Sequence, residues 1–445
     1  MKKTFTILIL STFFYFFTGL NVTFSQEPLN FQGSVTYSPV LVYGGNGSWE
    51  EWTIILPYAF VSEGTFYIFY TGFDAAGIPS IGMASSSDGY SFTKYAGNPV
   101  FTPSGSGFDS FSVTQGIIIH GQTGWIMYYN GREQSGFGPG PSIGIATATD
   151  LTGPWTRDTN PILTVGSSGE WDSDFIAPNN IFQLDTGGFI MFYSAGDDFS
   201  SGINRQIGMA ISPDGLVWTK YDDPATTNSP YSESDPVLKV GDPGEWDDAM
   251  AWECSILKTQ EGFEMYYTGG HSNTNGAFGY AYSPDGISWS KDPLNPVYTW
   301  NDDPYALSMG YSLLEQPALV IDIDDSIVFM YYDYGIPYPG EIAVATADLP
   351  VGIKYERFPN SDLRMTIYPN PVYQSTTFSY TLKEQGQVIL SIFDSFGRLV
   401  DVPVNTYQQK GKQQVYWNAE TFPVGIYFYL IQAGNEVGSG KMIKW

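Results

Sequence analysis

Apolar and polar positions form a pattern that repeats five times between residues 37 and 350. Each repeat has an aromatic run, "FYIFYTG", "WIMYYNG", "FIMFYSAG", "FEMYYTGG" or "VFMYYDYG", and a small-residue run such as "IGMA". Short apolar or alternating runs split by Gly, Pro, Asn and Asp are typical of strands joined by tight turns. Four such runs in each repeat of about 60–75 residues predict an all-β chain folded as a five-bladed β-propeller, spanning residues 26–350.

The two ends of the repeat region complement each other. The last repeat stops at "EIAVATADLP", its third run, whereas "YSPVLVYGG" precedes the first complete repeat as an additional run. We therefore expect a strand near Tyr37–Tyr43 to complete the last blade. Such pairing would close the ring and remove an exposed sheet edge.

Acidic turns recur between the third and fourth runs, as in "SSDGYSF", "SPDGLVW" and "SPDGISW". Asp-Gly favours tight turns because Gly accepts positive φ and Asp bonds to its own backbone. These segments resemble the Asp-box turns of other propellers. The pattern predicts structural roles for Asp88, Asp214 and Asp285, with a structural calcium site as the alternative.

The links between repeats are also acidic, as in "GFD" and "GEWD". Because they recur around the predicted ring, we expect structural roles for Asp109, Asp172 and Asp247. Other acids near the starts of inner strands are not shared by all repeats: Glu253, Glu315, Asp174 and the pair Glu50–Glu51.

The first run of each repeat predicts the strand nearest the propeller axis, the inner strand, and most inner strands share a proline, as in "LPYAF" and "EQPALV". Two of the unshared acids occupy the same position relative to this proline. Glu253 and Glu315 each stand two residues before that position, which is Ser255 in one strand and Pro317 in the other. Inner strands crowd the axis of a propeller, so acids there should converge at the mouth of its channel. Converging carboxylates have separated pKa values, and glycosidic bond cleavage needs one protonated and one ionised carboxyl group.

An acid in blades one, three and four resembles the glycosidase superfamily of arabinanases, β-xylosidases, levansucrases and invertases, families 43, 32 and 68. "WEC" at 252–254 is similar to the motif of invertase-like enzymes in which the glutamate is the general acid/base. The resemblance implies that Glu253 is the proton donor, Asp174 orients it and tunes its pKa, and Glu51 is base or nucleophile. A hydrogen-bonded structural carboxylate is the alternative for each.

Three positions depart from that family pattern. Leu56 precedes the first-blade proline, where the family usually has an aspartate, so Glu50 or Glu51 would have to substitute. Asp174 is followed by Phe175 and not by proline, and Ser255 follows "WEC" where invertases have proline. The first-blade acid is therefore the weakest part of the predicted site.

Further side chains are candidates for substrate binding on the same face. Basic groups there could hydrogen-bond sugar hydroxyls or simply pair with acids, and tryptophans could stack on sugar rings or pack in the core. The predicted substrate-binding residues are Trp252, Trp52, Arg132, Arg205, His271 and Glu315.

The charge balance narrows the ligand classes. The chain has 46 acidic and 19 basic residues, a net charge of −27, which repels nucleic acid and anionic lipid. This charge suits a neutral or cationic ligand, or simply solubility outside the cell. Cys254 is the single cysteine, so internal disulfides are excluded, and we interpret it as a buried strand residue. Two distant histidines give no zinc spacing, so no metal or cofactor is expected.

The N-terminal segment has the features of a secretory signal peptide, residues 1–25. Two lysines precede an apolar run, and a small-residue cleavage site precedes Gln26. A membrane anchor is the alternative. No later segment reaches the roughly 20 apolar residues of a spanning helix, so no span is expected in the mature protein.

The repeat ends before a predicted linker, residues 351–363, and a small β-sandwich, residues 364–445. This region resembles the C-terminal sorting domain of the type IX secretion system of Bacteroidetes. The resemblance implies export through the periplasm and outer membrane, with the secretion machinery as partner. The matching motifs are Tyr368-Pro-Asn-Pro371, Asp394-Ser-Phe-Gly-Arg398, Gly425-Ile-Tyr427 and Lys441-Met-Ile-Lys444.

Taken together, these features favour a secreted glycosidase-like propeller that hydrolyses polysaccharide or oligosaccharide. The alternatives are a non-catalytic propeller that binds carbohydrate or protein, and a structural surface protein.

Overall fold

The structure is a computed structural model of the chain. It describes residues 27–34, 36–121, 124–134, 141–184, 188–197, 204–259, 262–272, 275–322, 326–336, 340–349, 365–394, 399–423, 425–433 and 436–444. The predicted signal peptide and the predicted linker 351–363 lie outside these residues.

After a short strand, three antiparallel sheets follow one another. The first four strands of each sheet pair in chain order, and the fifth strand of the third sheet, β14, pairs with β12. The strands are β1 (Gln32–Gly33); β2 (Thr53–Ser62), β3 (Thr65–Phe73), β4 (Pro79–Ser86) and β5 (Thr93–Lys94); β6 (Ser112–Gly121), β7 (Gly124–Arg132), β8 (Ser142–Ala148) and β9 (Thr156–Arg157); and β10 (Phe175–Gln183), β11 (Phe189–Gly196), β12 (Gln206–Ser212), β13 (Thr219–Lys220) and β14 (Pro236–Leu238).

The next sheet contains two groups of antiparallel strands joined by one parallel pair, Gly276 with Leu313. A short helix lies between the groups in the chain. The elements are β15 (Met250–Thr259), β16 (Gly262–Ser272), β17 (Asn275–Ser283) and β18 (Ser290–Lys291), then α1 (Pro304–Met309), β19 (Leu313–Asp322), β20 (Ile327–Ile336) and β21 (Ile342–Asp348).

Each of the first three sheets is one group of strands, and the next sheet contains two such groups. The aromatic runs form the second strand of each group, and most of their tyrosines are fully buried, with Tyr67 half-buried. The small-residue runs form the third strand because large rings occupy the adjacent space. A Cβ at Gly208 would lie 2.4 Å from the ring of Tyr193, and one at Gly279 would lie 2.5 Å from that of Tyr267. The alternation of aromatic and small runs therefore reflects close packing in the core.

The N-terminal segment lies along β21. Val40 N–H donates to the carbonyl of Ile342 at 2.8 Å, Leu41 forms a bridge with Ile342, and β1 pairs with β21 further along. The predicted strand near Tyr37–Tyr43 is thus a single bridge, and the longer contact with β21 comes from residues nearer the N-terminus.

The acidic turns bond to their own backbone. Asp285 Oδ1 accepts hydrogen bonds from the N–H groups of Ile287 at 2.8 Å and Ser288 at 2.7 Å. Equivalent bonds at Asp88 lower the pKa of that carboxyl to about 2. This geometry confirms the predicted structural role of these aspartates. Among the described residues, no group of three or more His, Cys, Asp and Glu side chains is placed to hold a metal ion.

The acids of the links have structural roles as well. Each forms an ion pair with a basic residue of the short fourth strand of its own group: Glu50 with Lys94, Asp109 with Arg157, Asp172 with Lys220, and Asp247 with Lys291. In the last group, Asp303 instead accepts from the hydroxyls of Tyr332 and Tyr334 and caps α1.

The C-terminal region has two sheets that share one hydrophobic core, including Phe378, Leu390, Trp417 and Ile431. This is the two-sheet arrangement expected of a β-sandwich. No helix among the described residues is long and apolar enough to span a bilayer. The strands are β22 (Met365–Tyr368), β23 (Ser375–Leu382), β24 (Gly386–Asp394), β25 (Leu399–Gln408), β26 (Gly411–Asn418), β27 (Gly425–Ala433) and β28 (Glu436–Lys444).

Candidate functional site

The first strand of each group contains a β-bulge near its start, where its register with the second strand shifts. In four groups the bulge contains a residue with positive φ, a conformation that residues other than glycine adopt at a cost. These residues are Leu56 (56°), Gln115 (54°), Glu253 (43°) and Gln316 (52°).

The bulge geometry corrects the sequence alignment of the acids. Glu253 corresponds to Gln316 and not to Glu315, because Glu253 and Gln316 share the positive φ at the bulge. The same position in the first group is occupied by Leu56. Glu315 therefore stands one residue before the bulge, at the place that Trp252 occupies in its own strand.

Each of these bulges is held by a side chain of another group, which accepts the N–H of the bulged residue. The acceptor always lies directly after two aromatic residues of a second strand. The pairs are Gln115 N–H to Thr71 at 3.0 Å, Glu253 N–H to Ser194 at 2.7 Å, Gln316 N–H to Thr268 at 3.1 Å, and Leu56 N–H to Asp333 at 2.7 Å.

Three carboxyl groups meet at this level. Glu253 Oε2 accepts the N–H of Gln316 at 3.2 Å, which places it beside the start of β19. Glu315 and Asp333 lie directly opposite each other in the β19–β20 register, where Cβ atoms are about 5 Å apart. Glu253 is 4% exposed and Asp333 1%, whereas Glu315 is only partly buried. Glu315 is therefore the carboxyl group of the three with the best access to a ligand.

Burial raises the pKa of all three carboxyl groups. The pKa of Glu315 rises to about 7, and those of Glu253 and Asp333 rise well above their usual range. The charge of Glu315 raises the pKa of both neighbours further, while the Arg205 guanidinium lowers the pKa of Glu253 and of Glu315. The cluster therefore retains protons near neutral pH and combines protonated and ionised carboxyls.

Arg205 and Trp252 form the wall beside this cluster. The guanidinium carbon lies 4.0 Å from the centroid of the Trp252 ring, and both residues are buried. The Arg205 carbonyl accepts the N–H of Ala251, which fixes the arginine to β15. This cation–π contact helps to hold the positive charge near the acids.

The two other predicted catalytic acids have different surroundings. Burial lowers the pKa of Arg132, and the charge of Asp174 partly offsets this lowering, so these two predicted site residues lie near each other. Glu51 accepts the N–H of Gly47 at 2.6 Å within the link before β2. The charges that act on Glu253 come from Glu315, Asp333 and Arg205.

The remaining predicted binding residues lie at exposed positions. Trp52 is 51% exposed and meets Phe73 edge to face, which leaves much of its ring accessible. His271 Nδ1 lies 2.6 Å from Asp248 Oδ1 in an exposed ion pair. Trp52 remains a candidate stacking surface for a sugar ring, whereas His271 has a carboxylate partner.

The sequence analysis missed Asp333, although the aligned aromatic runs contain a signal for it. The residue after the aromatic pair is Thr71, Asn130, Ser194 or Thr268 in the first four runs and Asp333 in the last. A hydroxyl is enough to accept the bulge N–H, so the carboxylate is an exception to the repeat. Cys254 is 1% exposed, and burial raises the pKa of its thiol, which agrees with its interpretation as a buried strand residue.

Gly335 provides the space that the Glu315 carboxylate occupies. A Cβ at this position would lie 2.2 Å from Glu315 Oε2 and 2.5 Å from Leu313 Cδ2. We expect Gly335→Ala to displace the carboxylate and to lower the free energy of unfolding by about 1–3 kcal/mol, measured by urea denaturation. Gly45→Ala, where nothing lies within 4 Å of the added Cβ, is the matched control. Equal stability of the two variants would contradict this packing.

Comparison with known families identifies the C-terminal domain. Residues 366–445 match the family described as the secretion system C-terminal sorting domain. This domain marks proteins that type IX secretion exports to the cell surface or the medium, so the chain is an exported protein. The chain matches no curated protein.

The preceding region is similar in structure to glycoside hydrolases of the propeller type. A provisionally assigned glycosidase from Bacteroides thetaiotaomicron is 17% identical with a TM-score of 0.55, covering 72% of this chain and 97% of that chain. A glycosyl hydrolase from Bacteroides ovatus is 18% identical with a TM-score of 0.54, covering 74% and 97%. Zg3597, a family 117 glycoside hydrolase from Zobellia galactanivorans, is 18% identical with a TM-score of 0.50, covering 74% and 94%. At these identities the similarity establishes the fold alone.

Proposed function

We propose that the chain is an exported glycosidase that hydrolyses O-glycosidic bonds of a polysaccharide or oligosaccharide at the cluster of Glu253, Glu315 and Asp333. The observation that carries the proposal is the meeting of three carboxyl groups with raised pKa values beside the guanidinium of Arg205. Such a cluster can hold one protonated and one ionised carboxyl group at the same pH, as glycosidic cleavage requires.

In this proposal Glu253 is the proton donor. Its deep burial and two acidic neighbours keep it protonated at neutral pH, and its proton passes to the leaving glycosidic oxygen as the bond to the anomeric carbon breaks. Glu315, ionised against Arg205, accepts a proton from the water whose oxygen attacks that carbon. The products are two hydroxyl compounds, and because Glu253 has lost one proton while Glu315 has gained one, the cluster returns to its starting state when a proton passes from Glu315 back to Glu253.

The proposed architecture is a five-bladed propeller in residues 26–350, followed by the sorting domain in residues 364–445. Contacts between successive first strands support the ring, since β2 contacts β6, β6 contacts β10, β10 contacts β15, β15 contacts β19, and β19 contacts β2. The pairing of the N-terminal segment with β21 supports closure of the last blade.

A second candidate function is a non-catalytic propeller that binds carbohydrate. Leu56 favours it, because this apolar residue occupies the position in the first group that Glu253 occupies in the fourth. The exposed ring of Trp52 would serve either function as a stacking surface.

Assays of glycan hydrolysis by the wild type, Glu315→Gln and Glu51→Gln test whether the chain is catalytic and whether Glu315 or Glu51 is the base. We expect Glu315→Gln to lower kcat about 100-fold or more and Glu51→Gln to change it little, since Glu51 is bonded to the link. Loss of activity in Glu51→Gln alone would restore the first-blade acid as the base. Binding on a glycan array without hydrolysis of any bound glycan would favour the non-catalytic propeller.

A further inference from the structure

Asp333 is the acceptor that breaks the repeat of the second strands. The other groups satisfy the bulge N–H with the neutral side chains of Thr71, Ser194 and Thr268. Asp333 performs the same hydrogen-bonding task for Leu56 with a carboxyl group that is 1% exposed. A buried carboxyl group costs more free energy than a hydroxyl, so this position calls for a role beyond holding the bulge.

The partner of Asp333 is Glu315. The two residues are cross-strand neighbours in the β19–β20 register, with their side chains on one face of the sheet. Leu56 N–H donates to Asp333 Oδ2 and so orients this carboxyl group. Two carboxyl groups at this separation cannot both be ionised without strong repulsion, and a shared proton removes that repulsion.

The charges around the pair agree with one shared proton. The groups that act on it are Glu253 on β15, Glu315 on β19, Asp333 on β20 and Arg205 beside β15. One guanidinium balances one ionised carboxylate. With Glu253 protonated, the pair of Glu315 and Asp333 then carries one negative charge and one proton.

We propose that Asp333 and Glu315 form a carboxyl pair that shares one proton, and that Asp333 acts through Glu315 as a positioning residue. Asp333 belongs to the last group, but its carboxyl group accepts the N–H of Leu56 and so lies beside β2. It therefore supplies a carboxyl group next to the bulge where the first group has the apolar Leu56. The shared proton is independent of activity, whereas the positioning role rests on the proposed function.

The pH dependence of unfolding tests the shared proton without any substrate. The pKa of Glu315 rises from its ordinary 4.5 to about 7 in the folded protein, so the stability it contributes is present below pH 4.5 and lost as pH rises through about 7. We expect the wild-type chain to lose stability between about pH 5.5 and about pH 6.5, within the range that separates the two pKa values. The slope of the free energy of unfolding against pH gives the number of protons that the folded state binds in excess of the unfolded state.

The informative variant is Asp333→Thr, since a threonine hydroxyl accepts the bulge N–H in two other groups. We expect urea unfolding of the full chain to show a pH slope smaller by about one proton than that of the wild type. Asp333→Asn is the second variant if the threonine does not fold. Thr71→Asn changes an equivalent acceptor away from the acids and should leave the slope unchanged.

The outcomes separate this inference from the proposed function. Equal slopes in wild type and either Asp333 variant, or a wild-type slope below about one proton, would overturn the shared proton. If the wild type hydrolyses a glycan, Asp333→Thr should move the acid limb of its pH profile to higher pH and lower kcat with little change in KM. An unchanged profile would remove the positioning role. A reduced slope in a chain that hydrolyses nothing would leave the pair intact and reject the glycosidase.

Discussion

Replacement of Glu253 by glutamine should lower kcat for glycan hydrolysis by about 100- to 10,000-fold while the fold is retained. Glutamine has nearly the same shape, and its side-chain oxygen can still accept the N–H of Gln316 that Glu253 Oε2 accepts at 3.2 Å. The glutamine amide has no acidic proton that could be transferred to the leaving oxygen. The effect should therefore appear in the rate of bond cleavage and not in stability, and kinetics with the hydrolysed glycan measure it.

The choice of substrate sharpens this test. An aryl glycoside with a good leaving group needs little protonation, so Glu253→Gln should retain much more activity on it than on the natural glycan. Glu63→Gln, an exposed acid in the turn between β2 and β3, is the control for the change from carboxylate to amide. Equal loss on both substrates would show that Glu253 is not the proton donor.

Lys291→Met should cause a large loss of stability, because it breaks one of the ion pairs between a link and the fourth strand of its group. Lys291 Nζ lies 2.6 Å from Asp247 Oδ2, and the Asp247 side chain is 1% exposed. Without the lysine, the buried carboxylate still accepts the hydrogen bond from the Tyr267 hydroxyl but has lost its charged partner. Because Lys291 is 25% exposed, we expect a loss of about 3 kcal/mol, near the lower end for a broken buried pair. Urea denaturation at neutral pH measures it.

A double-mutant cycle isolates the interaction between the two side chains. Asp247→Asn together with Lys291→Met removes both charges, so the double variant should be less destabilised than the sum of the two single variants. Lys412→Met, at an exposed site in the sorting domain, is the control and should change stability by less than about 0.5 kcal/mol. Additive losses would mean that the ion pair contributes nothing to folding.

The sequence was informative about the strands because large and small residues alternate between them. The aromatic runs and the runs such as "IGMA" mark the second and third strands, and rings such as that of Tyr193 require glycine opposite them. The sorting domain was recognisable for a different reason, since its short motifs occur in a fixed order.

The candidate site was only partly predictable because its contacts cross between groups of strands. Glu253 was visible as an acid that its neighbours lack. The sequence alignment matched Glu315 to Glu253, whereas the structure matches Gln316 to Glu253. The bulges shift the register by a residue that the sequence pattern does not reveal. Asp333 lies on a second strand about 280 residues from Leu56, whose N–H it accepts, and no local pattern joins them.

The contact between the two ends of the repeat region has a consequence for biogenesis. Ser38 bonds to the backbone of Val344, a sequence separation of 306 residues, beside the strands that carry Glu315 and Asp333. Contacts this distant form late, because the intervening chain must first be ordered. The acid cluster should therefore form only after synthesis of the whole repeat region, so a chain that ends before β21 should lack the site proposed for hydrolysis.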